Sequence, residues 1–153
     1  MINQATVMLY VSNVEKSTDF WQQGFNVSSL ETIQLPDNYL SVKLFLQDGF
    51  ALQLFDKEFI QKYSPEVAMN TPSILFSTTD INALHSQLSQ ISPFISDISE
   101  FGGSNQFNFS DIDNNYFAVT EEKTALCQIG LMSRIYKMIN LRLLSDLSSF
   151  LVI

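Results

Sequence analysis

The sequence predicts an α+β fold: two βαβββ modules forming a cupped mixed β-sheet, followed by a C-terminal amphipathic helix. Three observations carry this reading. Short apolar or alternating segments between turn residues recur as strands. Two helical segments each begin at a side chain able to cap them, Asn13 and Asp80. The order strand–helix–three strands also occurs twice. A shift of 67 residues carries Asn13 onto Asp80 and Val14 onto Ile81, and a shift of 65 carries Asp48 onto Asp113, Leu52 onto Phe117 and Leu54 onto Val119. Such a period marks an internal duplication of one supersecondary unit.

The elements follow in order. Ala5–Val11 is an apolar run suited to a buried strand, and Asn13 can accept from free amides in the first turn of a helix over Val14–Gln23. Trp21 lies seven residues after Val14 and shares its inward face, and Gly24 is expected to stop the helix. Val27–Leu35 and Tyr39–Leu46 read as strands around a turn at Pro36–Asn38, and Asp48-Gly49 signals a hairpin into Phe50–Phe55. A short helical stretch, Lys57–Tyr63, links the modules. The second module reads as strand Ser73–Thr78, helix Ile81–Leu88, a weak strand near Ile95–Phe101, then Ser104–Phe109 and Tyr116–Thr120. Between the last two, Asp113-Asn114-Asn115 supplies a turn whose asparagines tolerate the left-handed conformation. The paired modules occupy residues 1–122, with modules at about 5–56 and 72–121, and 123–153 is a helical tail.

Composition narrows the function. The chain has 153 residues, is 46% hydrophobic and 16% charged, and has a mean hydropathy of +0.09, too apolar for a disordered chain. Its net charge of −8 divides unevenly: four basic and fifteen acidic residues in 1–122 give −11, and four basic and one acidic in 123–153 give +3. An acidic body disfavours nucleic acid, and a membrane span is not expected. The single cysteine, Cys127, excludes an intramolecular disulfide, and the single histidine, His85, excludes sites needing two imidazoles. The start MINQATVMLYV lacks the basic region and cleavage site of a signal peptide, so a cytoplasmic protein is expected.

Four segments carry a resemblance: LYVSNVEKSTDFW (Leu9–Trp21), DGFALQLF (Asp48–Phe55), SILFSTTDINAL (Ser73–Leu84) and DIDNNYFAVTE (Asp111–Glu121). Over about residues 5–121 the chain resembles the vicinal oxygen chelate superfamily, which includes glyoxalase I, extradiol dioxygenases and fosfomycin- and bleomycin-resistance proteins. It departs from that pattern at Gln22-Gln23-Gly24, a shorter helix end, and at Ile112, where proline is common. The resemblance implies four metal-ligand positions, occupied here by Thr6, Gln53, Ser73 and Ala118. A divalent cation needs carboxylates or imidazoles to offset its dehydration. These four provide none, so no metal and no cofactor are expected.

What remains of the resemblance is the cup. Residues two apart on a strand share a face, so the expected ligand-binding set is Thr6, Met8, Tyr10, Gln53, Phe55, Ser73, Leu75, Phe107, Tyr116 and Ala118. Apolar bodies with a few hydroxyls, an amide and phenols suit a small organic or aromatic ligand, and an acidic mouth favours a cationic one. The plain alternative is a cup filled by its own side chains. His85 is read as a partly solvated surface residue, Cys127 as an inert buried thiol, Trp21 as core, and Asp111, Asp113, Glu121 and Glu122 as solvated charge.

In the tail, Ile135, Met138, Ile139, Leu143, Leu147 and Phe150 recur at helical spacing over Met132–Ile153, a stripe suited to packing on the acidic body or a partner. The expectation is a metal-independent binder of a small molecule resembling bleomycin-resistance proteins, commonly homodimers, with no catalytic residue assigned. Two alternatives stay open: an enzyme acting without the usual ligands or with a metal at Glu31 or Glu100, and an interaction module using the tail.

Overall fold

The computed structural model describes residues 3–122. Cys127 and the helix expected over Met132–Ile153 lie outside them. The described chain runs β1 (Ala5–Val11), α1 (Val14–Phe25), β2 (Leu30–Gln34), β3 (Leu40–Gln47), β4 (Phe50–Asp56), α2 (Lys57–Tyr63), β5 (Leu75–Thr78), α3 (Ile81–Leu88), β6 (Ser99–Phe101), β7 (Ser104–Ser110) and β8 (Tyr116–Glu121). Each βαβββ module makes its own mixed four-stranded sheet, ordered β1-β4-β3-β2 and β5-β8-β7-β6. The first strand of each lies parallel to the last, as a crossover through a helix requires, and the other pairs are antiparallel.

The caps form as the side-chain chemistry dictates. The Asn13 side chain accepts from Lys16 N, and Asp80 accepts from Ala83 N. Asp56 caps α2 by accepting from Glu58 N and Phe59 N. Gly49 takes φ 77° at the hairpin, and Asn114 takes φ 59° at the matching turn of the second module.

Gly24 does not stop α1. The helix continues to Phe25 and ends at Asn26, which adopts the left-handed conformation at φ 52° while its amide bonds Gln22 O. Gly24 is instead a point of close approach: a Cβ there would come within 2.8 Å of Leu88 Cδ2 on α3. The weak strand expected near Ile95–Phe101 contracts to Ser99–Phe101, with Ile95 making an isolated bridge to Phe109.

One face of each sheet is buried. On the first, Leu9, Val11, Leu44, Leu52 and Leu54 are at most 1% exposed; on the second, Phe107, Phe109, Phe117 and Val119 are at most 2% exposed. Helix α1 joins the two. It packs on β3 and β4, and its fully buried Trp21 meets Phe76, Phe109 and Phe117 of the second sheet with ring centroids 6.0, 6.2 and 5.2 Å away. The indole N–H finds no acceptor among the described residues, a cost set against the area this aromatic cluster removes from water.

Candidate functional site

Strand register fixes what each sheet presents on its other face. Because both buried faces turn toward α1, the open faces look outward from that core. On the first sheet, one row is Thr6–Ala51–Phe45, the next Met8–Gln53–Lys43–Glu31, and the third Tyr10–Phe55–Ser41–Ile33. On the second, Leu75, Ala118 and Asn108 form one row and Ser77, Thr120, Gln106 and Ser99 another, with Tyr116 opposite Ser110.

The expected site residues therefore divide between sheets. Thr6, Met8, Tyr10, Gln53 and Phe55 share the open face of the first; Leu75, Tyr116 and Ala118 share that of the second, with Ser73 just before β5. Phe107 does not reach either open face. It is 1% exposed on the buried side of β7, and its ring stands edge-on to His85 at 4.9 Å. The alternation that pairs it with Phe109 puts it in the core. His85 is half-buried, its Nε2 2.9 Å from Ser96 O.

The second sheet's open face holds a cavity of about 410 Å³ lined by Ser73, Ile74, Phe94, Asn108, Tyr116, Phe117 and Ala118. Its wall is the ring pair Phe94–Tyr116, with centroids 5.5 Å apart. Phe94 enters from the segment before β6, held alongside β7 by the Ser110 N–H donating to Phe94 O at 2.9 Å and the Ser96 N–H donating to Asn108 O at 2.9 Å. No local signal in the sequence marked Phe94, because its role depends on that long-range pairing. The cavity offers aromatic surface, one amide and two hydroxyls, and no charge.

Asp111 and Asp113 are not the solvated charges expected. Asp111 is 1% exposed and accepts from the Asp113 and Asn115 amides and from Asn115 Nδ2, while burial pushes its carboxyl pKa upward. The Asp113 side chain is 5% exposed and pairs with Lys57 Nζ at 3.1 Å. Burial opposes its ionisation, but hydrogen bonds from Ser12 and Lys57, with the charge of Lys57, hold its pKa below the ordinary value. A second cavity, about 490 Å³, lies beside this cluster against Ser12, Asn13, Lys16, Asp19 and Ile112.

The four positions that could hold a metal do not fit one. Gln53 Nε2 donates to Ser41 Oγ at 3.0 Å, Ala118 has no donor atom, and Thr6 and Gln53 stand in different rows of the first sheet, with Ser73 and Ala118 on the second. Among the described residues, no three His, Cys, Asp or Glu side chains gather as a metal site.

Comparison with known proteins decides the family. Residues 3–119 match the family described as "Glyoxalase/Bleomycin resistance protein/Dioxygenase superfamily". The chain belongs to this superfamily. No curated protein matches it. Solved structures with the superfamily's fold do. TioX from Micromonospora sp. ML1 is 11% identical with a TM-score of 0.64, covering 78% of this chain and 98% of its own. TnmS3, an antibiotic binding protein from Streptomyces sp. CB03234, is 17% identical with a TM-score of 0.59, covering 80% and 98%. Lactoylglutathione lyase from Agrobacterium tumefaciens is 16% identical with a TM-score of 0.58, covering 76% and 90%. At these identities the likeness is one of fold, and a superfamily containing both binders and enzymes leaves the activity to the site. Among the described residues, no helix is long and apolar enough to cross a membrane.

Proposed function

We propose that this superfamily member is a cytoplasmic protein that binds a small, largely apolar organic molecule without metal chemistry, as the similar TnmS3 is described to bind an antibiotic. The observation that carries the reading is the uncharged cavity of about 410 Å³ beside Tyr116, a size within the roughly 300–1,000 Å³ of small-molecule pockets. Phe94 and Tyr116 offer stacking area, and Asn108 and Ser73 can orient a polar edge. In this cavity no carboxylate, imidazole or amine stands as a base beside the Ser73 and Tyr116 hydroxyls, so the arrangement supports binding rather than catalysis.

The binding unit is a homodimer in this reading. A cup that uses Thr6 and Gln53 together with Ser73 and Ala118 joins the open faces of two separate sheets, and in this reading a second copy supplies the second sheet.

The test is calorimetric titration of the full-length protein with a panel of polycyclic aromatic antibiotics, beside light scattering for mass. Micromolar binding by at least one compound, weakened at least tenfold by Tyr116→Ala, is the expected result. Binding indifferent to Tyr116→Ala, or by none of the panel, overturns the cavity assignment; a monomer that binds fully overturns the dimer. A stoichiometric transition metal that turns over a substrate favours the enzyme reading.

A further inference from the structure

The open face of the first sheet bears on the kind of molecule bound. Across both open faces, the strands carry two charged side chains, Lys43 and Glu31. Of the fifteen carboxylates in residues 1–122, Glu31 is the one that lies on these strand faces.

We propose that the first sheet recognises an anionic group, with Lys43 as its counter-charge, and that the ligand is a planar aromatic carboxylate. This rests on the small-molecule reading above and names the ligand's chemical class. Four lysines fall within the described residues. Lys57 pairs with Asp113 and Lys62 with Asp37. Lys16 lines the cavity near Asp19 and Asp113. Lys43 makes neither an ion pair nor a hydrogen bond to any described residue, and its Nζ lies 5.2 Å from the centroid of the Phe45 ring. A cation–π contact at a half-exposed site is worth only about 0.5–1 kcal/mol, so it orients the ammonium without competing with a carboxylate.

The surroundings suit an aromatic body. Met8, 51% exposed, and half-buried Tyr10, Phe45 and Phe55 surround Lys43 and Gln53 on the same face. Gln53 is held by its bond to Ser41 Oγ at 3.0 Å, and Ser41 is fully buried. An aromatic ring can lie on these apolar side chains with its carboxylate toward Lys43.

Two opposing charges enter the balance. The body's net negative charge repels an anion at range, but screening acts over about 8 Å at physiological ionic strength, whereas an ammonium–carboxylate contact is made at hydrogen-bond distance. Glu31 stands directly opposite Lys43 and is exposed. It competes for the ammonium, and its removal therefore strengthens anion binding.

The experiment is calorimetry on the full-length protein at low salt with two probes of the same shape, 2-naphthoate and neutral 2-naphthamide. Naphthoate is expected to bind about tenfold tighter, as one charge-assisted contact supplies. Lys43→Gln, a change at a half-exposed position, should lower naphthoate affinity about tenfold and so remove that preference. Glu31→Gln should tighten naphthoate alone. Equal affinity of the two probes for the wild type, naphthoate binding unaffected by Lys43→Gln, or weakening by Glu31→Gln overturns the assignment. So does an effect of Lys43→Gln confined to self-association, which would make this face a contact between copies. Naphthamide binding without a charge preference removes the anion assignment while leaving the small-molecule reading intact. Failure of both probes removes the assignment as well, and the Tyr116 titrations then decide the parent reading separately.

Discussion

Ser12 donates twice to the carboxylate of Asp113, from its amide at 2.9 Å and its hydroxyl at 2.5 Å, across 101 residues of chain. Lys57 closes on the same oxygen at 3.1 Å, and Ser17 Oγ approaches the other at 3.4 Å. The last turn of the second module is thereby fixed to the β1–α1 turn and the α2 start of the first. Asp113→Asn is expected to cost about 2 kcal/mol in urea denaturation at pH 7, below the 3–5 kcal/mol of a fully buried pair because Lys57 is 34% exposed. A loss under about 0.5 kcal/mol would mean that the turn is held by other contacts.

The same carboxylate predicts a pH dependence. Its folded pKa lies below the ordinary 3.8. The stability it contributes is therefore complete above that value and is lost as pH falls from 3.8 through the folded pKa. The gap between wild type and Asp113→Asn should be constant from pH 7 to 5 and narrow below 3.8. Asp111 has the opposite sign. Burial raises its folded pKa, so its contribution is greatest below the unfolded value and is lost as pH rises through the folded one. Asp111→Asn should therefore compare better with wild type at pH 7 than at pH 3. Denaturation of both variants across this range checks the two signs together.

At Gly24 two effects oppose. An alanine gains up to about 1 kcal/mol in helix propensity, but its Cβ meets Leu88 Cδ2 at 2.8 Å and Ile91 Cδ1 at 3.4 Å. Leu88 is fully buried and has little room to yield. Gly24→Ala is expected to fall within about 1 kcal/mol of wild type, whereas Gly24→Val, which adds bulk without that propensity, should lose about 2 kcal/mol. A thermal melt showing Val as well tolerated as Ala would remove the close approach of α1 and α3.

What was legible in the sequence was local. Helix α2 and α3 occupy the spans read from the sequence, Lys57–Tyr63 and Ile81–Leu88, the latter because the Asp80 N-cap and an apolar spacing act within a few residues. Gly24 and Asp113 were misjudged because their partners, Leu88 and Ser12, are distant in the chain. Alternation separates Asn108 from Phe109 on β7, but Phe107, expected in the ligand-binding set, shares the core face of Phe109 instead. Alternation says which residues share a face but not which faces meet. The division of the expected site between two sheets was therefore not legible, and neither was the Phe94 wall.

The duplicated caps offer an additivity test. Asn13 and Asp80 perform the same task at the starts of α1 and α3, each accepting from one first-turn amide at 2.9 and 3.0 Å. Replacing either by alanine should cost about 1 kcal/mol. The caps share no hydrogen-bond partner, so the double variant should lose the sum to within about 0.5 kcal/mol. A markedly larger loss would show the two helices failing as one unit.

Phe94 separates binding from stability. Its side chain is 43% exposed, so Phe94→Ala removes little buried area and should cost about 1 kcal/mol or less. The same truncation removes one of the two rings walling the cavity, 5.5 Å from Tyr116, and should weaken binding of a neutral aromatic ligand about tenfold, the loss of one stacking contact with its area. Phe101 is the matched control. It is 73% exposed beside the Gly102-Gly103 turn and does not line the cavity, so Phe101→Ala should leave affinity unchanged. Calorimetry with both variants reads the difference. Equal effects would mean that exposed phenylalanines bind the ligand without regard to position, and the cavity beside Tyr116 would lose its claim.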